Sequence, residues 1–220
     1  MQLDPRQTLA ELAVSVPAAS RVFRRFRLDY CCSGQRTLAD ACRERALDPG
    51  AVLAELATDM DVQRPPLAEA DCPALIDHIL ERYHAPLRRE LPELIAMARR
   101  VETRHAAHPA CPHGLAEHLA SLQAELLQHL DKEERVLFPM IRAHAGRATR
   151  GPIAVLSREH GDHGAMLERT RALTADLTVP EGACVTWRAL QLRLAELETE
   201  LMEHIHLENN LLFPRALRAA

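Results

Sequence analysis

The sequence predicts an all-α protein: an up-down-up-down four-helix bundle behind a small N-terminal helical domain. Three observations lead there. Apolar residues recur at three- and four-residue spacing, with no strand-like alternation. Breaker-rich stretches cut most of the chain into four long segments with short connections, which makes neighbouring helices antiparallel. One pattern, E-x3-H-x3-E-x3-L-F-P, is written twice, in "ELLQHLDKEERVLFP" (125–139) and "ELMEHIHLENNLLFP" (200–214).

Residues 1–60 carry apolar positions Leu9, Leu12, Val22, Phe23 and Phe26, then Leu38, Cys42, Leu47, Leu53 and Leu56. They predict a compact domain of three short helices, close to the lower size limit for independent folding. Residues 61–72, which include Pro65-Pro66, read as a linker. Residues 73–220 form the bundle. Pro73 opens a helix over 73–104, since proline suits the first helical turn. "HAAHPACPHG" ends it, and a second helix covers 115–143, closed by "HAGRATRGP". A third spans 152–177 up to "LTVPEGAC", and a fourth spans 184–217. Pro86, Pro92, Pro139 and Pro214 fall inside these helices, and each predicts a kink or a broken turn.

Composition narrows the function. A net charge of −4 and only 3% aromatic residues leave neither a basic footprint nor stacking platforms for nucleic acid. No apolar run approaches the roughly 20 residues that span a bilayer, and the N-terminus lacks signal-peptide character. A soluble, cytoplasmic protein with no membrane partner is expected. The six cysteines are scattered, with no C-x2-C pair to suggest a zinc ribbon. The twelve histidines are the larger anomaly.

On a helix, residues four apart project side by side, so His129 with Glu133 and His204 with Glu208 each form half of a metal site. His84 and His160, nearly as far apart as the two motifs, extend the repeat to two helix pairs related by a pseudo-twofold. Four histidines and two carboxylates then converge on the core. Two histidines per metal with two bridging carboxylates fit two ions, oxo- or hydroxo-bridged, and favour iron or manganese over structural zinc. Polar residues on a core-facing stripe are costly unless they are used. Glu125 and Glu200, one turn before the motif histidines, are candidates for orienting the ligands or lining a polar path. Glu159 precedes a ligand but points about 100° away. His163 reads as a polar helix residue. His206 reads as solvated, and His78, His105, His108, His113, His118 and His144 read as surface, loop or capping groups.

These residues resemble the RIC (repair of iron centres) family of the YtfE/ScdA/DnrN type, which are hemerythrin-like di-iron proteins. "HLDKEERVLFPMI" and "HIHLENNLLFPRA" look like the di-iron domain, and "LDYCCSGQRTLADAC" looks like the N-terminal ScdA-type domain. The resemblance implies cytoplasmic repair of iron–sulfur clusters damaged by nitrosative or oxidative stress. It implies two non-haem iron ions held by His84, His129, Glu133, His160, His204 and Glu208, with Glu133 and Glu208 bridging. Oxygen-carrying hemerythrins, similar in fold, place a fifth histidine where this chain has Gly164, and an aspartate where it has Glu208. Stable oxygen carriage is therefore not implied.

Cys31-Cys32 are candidate redox thiols. Adjacent thiols are poorly placed to share one tetrahedral metal, and a disulfide between neighbours is strained and easily reduced. Gly34 would permit the turn that exposes them. The plain alternative is a pair of packed thiols. The expected partners are damaged or apo iron–sulfur proteins or a cluster scaffold, with nitric oxide as a further ligand and a homodimer left open. Iron donation is the first functional expectation. A nitric oxide-reducing enzyme and a non-catalytic sensor or scavenger of nitric oxide or oxygen are the rivals.

Overall fold

A computed structural model of the chain describes residues 3–16, 19–58, 67 and 69–218, so residues 61–66 and 68 of the expected linker lie outside the described residues. The small domain holds four helices rather than three: α1 (Leu9–Ser15), α2 (Ala19–Arg25), α3 (Leu38–Glu44) and α4 (Pro49–Thr58). The extra breaks have local causes. Val16, which precedes a proline, is extended at φ −116°, ψ 113° and ends α1. Ala46 turns left-handed after α3, and Pro49 starts α4. Helices this short are not stable alone. Thr8 and Glu11 form a reciprocal capping box on α1, and Leu9, Leu12, Val22, Phe23, Leu38, Val52 and Leu56 meet in one buried cluster.

The bundle is built from four rods. The first joins α5 (Cys72–Ile79) to α6 (Ala85–Arg104), and the second joins α7 (Leu115–Lys132) to α8 (Phe138–Arg142). The third is α9 (Arg150–Leu173), and the fourth joins α10 (Val185–Leu207) to α11 (Phe213–Arg218). Between the joined helices lie single π turns, Leu80–His84, Glu133–Leu137 and Glu208–Leu212. Each ends two residues before a proline: Pro86, Pro139 or Pro214. A proline cannot donate to the carbonyl four residues back, and its ring collides with it. Widening the turn resolves this, because the residue before the proline donates five residues back: Ala85 to Leu80, Phe138 to Glu133 and Phe213 to Glu208. Three of the four expected proline breaks are thus π turns that leave the rod continuous, while Pro92 sits within α6.

Two apolar clusters fill the bundle. One gathers Leu91, Leu94, Leu119, Leu126, Trp187 and Leu194; the other gathers Leu75, Ile79, Leu137, Phe138, Leu212 and Phe213. In every rod the predicted ligand positions fall between the two. The small domain docks against α9, α10 and the last π turn. Asn209 and Asn210 donate to the carbonyls of Cys31 and Tyr30 at 3.1 and 3.2 Å, and Arg24 donates to Ala195 O at 3.0 Å. His206, expected in solvent, is buried here beneath the Tyr30 ring, because the docked domain covers its face of α10. Among the described residues, no helix is long and apolar enough to cross a membrane.

His118 was also expected at the surface. It is buried, with Nε2 3.0 Å from both Thr170 Oγ1 and the Met166 carbonyl, because α9 packs over that face of α7. Burial holds its imidazole below the usual range. Its contribution to stability is therefore full above about pH 6.5 and is lost as the pH falls below that value. Melting curves at about pH 7.5 and about pH 5.5 should show a smaller loss of Tm on acidification for His118→Gln than for the parent chain. Leu126→Ala, at a fully buried core position, should cost about 2–5 kcal/mol in urea unfolding. Val185→Ser, 83% exposed, should stay within about 0.5 kcal/mol.

Candidate metal centre

The structure brings the six predicted ligand residues together, all buried, in two overlapping groups: His84, Glu133, His204, Glu208 and His129, Glu133, His160, Glu208. Potential ligand atoms within each group lie within 4.8 Å of one another. The carboxylates divide their oxygens between the groups. Glu133 Oε2 faces His84 Nε2 at 3.4 Å, and its Oε1 faces His129 Nε2 at 3.3 Å. Glu208 Oε1 faces His204 Nε2 at 3.1 Å, and its Oε2 faces His160 Nε2 at 3.2 Å. Each group can therefore offer two imidazole nitrogens and one oxygen from each carboxylate.

The surrounding chemistry fits metal ions. All four carboxylate oxygens are buried without a hydrogen-bond partner, which is costly for charged groups. His129 Nδ1 faces Glu159 Oε2 at 2.9 Å, and His160 Nδ1 faces Asn209 Oδ1 at 2.9 Å. Asn209 donates through Nδ2 to Cys31 O, which fixes its Oδ1 as an acceptor. Both imidazoles thus donate through Nδ1 and, when neutral, turn lone pairs on Nε2 toward each other across 3.0 Å. Only a proton or a cation between them relieves that arrangement. With protein groups alone, burial and then the Glu208 charge push Glu133 up to about 8. Burial opposes ionisation of Glu208 too, but His204 and His160 hold its carboxyl below the usual range. His129 rises to about 9 against its burial because Glu133 lies beside it, whereas burial and His204 push His84 down to about 4.

The groups orienting the ligands follow the pseudo-twofold, and sequence reasoning missed most of them. Glu134, directly after Glu133, accepts from His84 Nδ1 at 2.8 Å; Asn209, directly after Glu208, accepts from His160 Nδ1. Arg88 braces Glu134 at 3.0 Å, and Lys132 braces Glu159 at 2.5 Å. Burial raises the Glu134 carboxyl, but His84 and Arg88 outweigh it and hold it below the usual range. Glu159 was discounted for pointing away from His160; it points instead at His129 on the neighbouring rod. Extending the repeat comparison by one residue on each side of the ligands would have found all three.

Rings complete the packing. Phe138 stacks on His84 at 5.7 Å and Phe213 on His160 at 5.9 Å, so the phenylalanine of each L-F-P braces a histidine of another rod. Tyr83 stacks on His204 at 5.4 Å. His163, read from sequence as an ordinary polar residue, is buried with its ring edge-on to His129 at 4.8 Å. It belongs to neither ligand group. Glu125 and Glu200 do not orient the ligands: Glu125 is exposed, and Glu200 pairs with Arg82 at the surface at 2.9 Å. At the level of Glu125 the core-facing positions of α7 are Leu122 and Leu126, so a glutamate four residues before His129 turns outward.

Removing an orienting group should weaken metal binding without changing the number of ions bound. Glu159→Ala and Asn209→Ala should each lower affinity about 10–100-fold in competition titrations against a chelator. Glu125→Ala should leave affinity unchanged.

Comparison with known proteins agrees with this geometry. Residues 75–216 match the family model for the hemerythrin HHE cation binding domain, and residues 5–59 match ScdA_N, a domain of unknown function. The chain is 49% identical over 215 residues to the iron-sulfur cluster repair protein YtfE of Musicola paradisiaca, covering 96% of each chain. It is 47% identical over 219 residues to the proteins of that name from Dickeya chrysanthemi and Yersinia pseudotuberculosis, covering 96% of this chain and 97% of each relative. The chain therefore belongs to the hemerythrin HHE cation-binding family, in the iron–sulfur cluster repair group that carries an N-terminal ScdA_N domain.

Proposed function

We propose that this protein repairs damaged iron–sulfur clusters by holding two iron ions between its four histidines and two carboxylates and donating that iron to damaged or apo proteins. The observation that carries this reading is the pair of carboxylates, Glu133 and Glu208, each with one oxygen facing each histidine pair. Each ion would take two nitrogens from His84 and His204, or from His129 and His160, and one oxygen from each glutamate. Bound there, two iron ions supply redox chemistry and open coordination positions. Cytoplasmic repair under nitrosative or oxidative stress is the setting this reading entails.

The same residues make the cargo releasable. Iron departure would leave two carboxylates side by side in the core. Glu133, pushed up to about 8, and His129, pushed up to about 9, both take protons near neutral pH and replace the lost positive charge. The stacked rings and the surrounding rods keep the pocket formed meanwhile. Reduction favours release, because ferrous iron binds carboxylates less tightly than ferric iron does. The open coordination positions also favour nitric oxide as a ligand, which is the second reading: reduction or sensing of nitric oxide at a retained pair of irons.

An iron-transfer experiment separates the two. The loaded, anaerobically reduced protein is mixed with an apo cluster scaffold and a sulfur source, and iron is followed in both proteins. Donation predicts transfer faster than release to buffer, and Glu133→Ala or Glu208→Ala should abolish both iron retention and transfer. If the irons stay in place under reduction while nitrous oxide forms from nitric oxide, the donor reading is wrong.

A further inference from the structure

Cys31 and Cys32 are not used by the bundle site, yet they stand next to it. The Cys32 thiol lies 3.4 Å from the carbonyl of His160, and Asn209 ties the Cys31 carbonyl to the His160 ring. The loop carrying them is tightly fixed. Asp29 Oδ1 accepts from Cys32 N at 2.9 Å, bending the chain so that the neighbouring sulfurs come to the same side. Gly34 is required by close approach rather than by an unusual turn, since a Cβ there would fall 2.6 Å from Tyr30 O.

Adjacent thiols are ordinarily poorly placed to share one metal, and the bend removes that obstacle. Their sulfurs are 3.7 Å apart, and Cys31 Sγ is 3.3 Å from Asp29 Oδ1. Two thiolates at about 2.3 Å from one tetrahedral ion stand about 3.8 Å apart, and a carboxylate oxygen on the same ion stands about 3.5 Å from each sulfur. Two edges of such a tetrahedron, Cys31 to Cys32 and Cys31 to Asp29, are thus nearly in place, and all three ligand atoms lie within 4.8 Å of one another. Its fourth corner can open on a cavity of about 380 Å³ between the small domain and the bundle, lined by both thiols, Arg24, Arg45, Gly161 and Gly164. The two glycines present no side chain, and a Cβ at either would meet nothing within 4 Å. Gly164 is the position at which oxygen-carrying hemerythrins were said to place a further histidine; here it helps form the floor beneath the thiols.

We infer that Asp29, Cys31 and Cys32 form a third metal site, which takes a thiophilic divalent ion with tetrahedral geometry and leaves its fourth position to a ligand from the cavity. The ion is ferrous iron in transit to a client, and this identity, unlike the geometry, rests on the donor reading above. Binding converts two thiols and one carboxylate into a bis-thiolate carboxylate complex and releases two protons to solvent. The resulting anion borders a cavity whose lining includes Arg24, Arg27 and Arg45, and a client's cysteine thiolate can enter at the open corner. The neighbouring Cys32 thiol and then burial hold Cys31 well above its usual range.

Cobalt(II) is the probe. The full chain, loaded with two ferrous ions and kept anaerobic and free of added thiols, is titrated with cobalt while thiolate-to-cobalt charge transfer and tetrahedral d–d absorption are read. One further ion per chain with thiolate absorption is expected. Cys32→Ser, at the exposed sulfur, should abolish that absorption and weaken this ion's binding about 100-fold, and Asp29→Asn should weaken it about 10-fold while keeping the thiolate bands. Glu125→Ala, exposed on α7 and outside both metal groups, should leave the bands intact. Absence of thiolate absorption, or bands unchanged in Cys32→Ser, overturns the site. In the iron-transfer assay, Cys32→Ser should slow transfer about 10-fold with both bundle irons retained; an unchanged rate overturns the transit assignment. Failure of the parent chain to transfer any iron would defeat the donor reading and with it the transit assignment, while the site itself is decided by the cobalt result.

Discussion

Two carboxylates placed side by side in a hydrophobic core are the constraint around which this bundle is arranged. Glu133 and Glu208 are fully buried, and none of their oxygens has a hydrogen-bond partner. Burying one unpaired carboxylate is costly, and their mutual repulsion adds to that cost. Protein groups alone answer it by protonating one member of the pair, and metal cations answer it better. Everything close to the pair serves that end. The imidazoles aim Nε2 inward because Glu134, Glu159 and Asn209 capture Nδ1, and aromatic rings close the remaining faces. The cluster lies between two apolar cores rather than at a bundle end, which keeps water from screening the charges.

The prolines take part in the same arrangement. A proline within a helix would ordinarily bend it at an uncontrolled point. Here each π turn bounds a ligand: His84 closes the first, and Glu133 and Glu208 open the others. The wide turn advances the helical phase by one residue, so the ligands face the core and the residues beyond the proline resume the apolar stripe. Phe138 and Phe213 follow directly and reach the histidines of other rods. The duplicated L-F-P therefore has a mechanical meaning: proline sets the wide turn and phenylalanine braces a ligand across the bundle.

The convergence of the six His and Glu residues was legible in the sequence because helical periodicity fixes which residues share a face, and a doubled motif reports its partner. The four rods were legible for the same reason. What escaped depends on neighbours that periodicity does not name. Glu159 faces away from its own ligand and toward His129 on another rod, a relation set by rod spacing. Glu125 lies beside the stripe and not on it, because Leu122 and Leu126 take the buried positions there. His206 and His118 were assigned to solvent because nothing in their own helices shows that the docked domain or α9 covers them. The arrangement of Cys31 and Cys32 escaped too, because the Asp29 bend, and not sequence adjacency, decides where the two sulfurs point.

Departures from the pseudo-twofold show how the small domain became part of the site. Glu134 and Asn209 occupy equivalent positions and do the same work on equivalent histidines, but their own partners differ. Glu134 opens toward Arg88, a cation at the bundle surface, so a carboxylate is stable there. Asn209 faces the docked domain, where the available partner is the Cys31 carbonyl, an acceptor. A carboxylate at 209 would set oxygen against oxygen, whereas an amide accepts from His160 on one side and donates to Cys31 on the other. A similar exchange separates Glu159 from Tyr83: one holds Nδ1 of His129, while the other stacks on His204 and leaves that Nδ1 without a partner. The His160 ring is thus joined through Asn209 to the thiol loop, whereas the His204 ring is held by the stacked Tyr83.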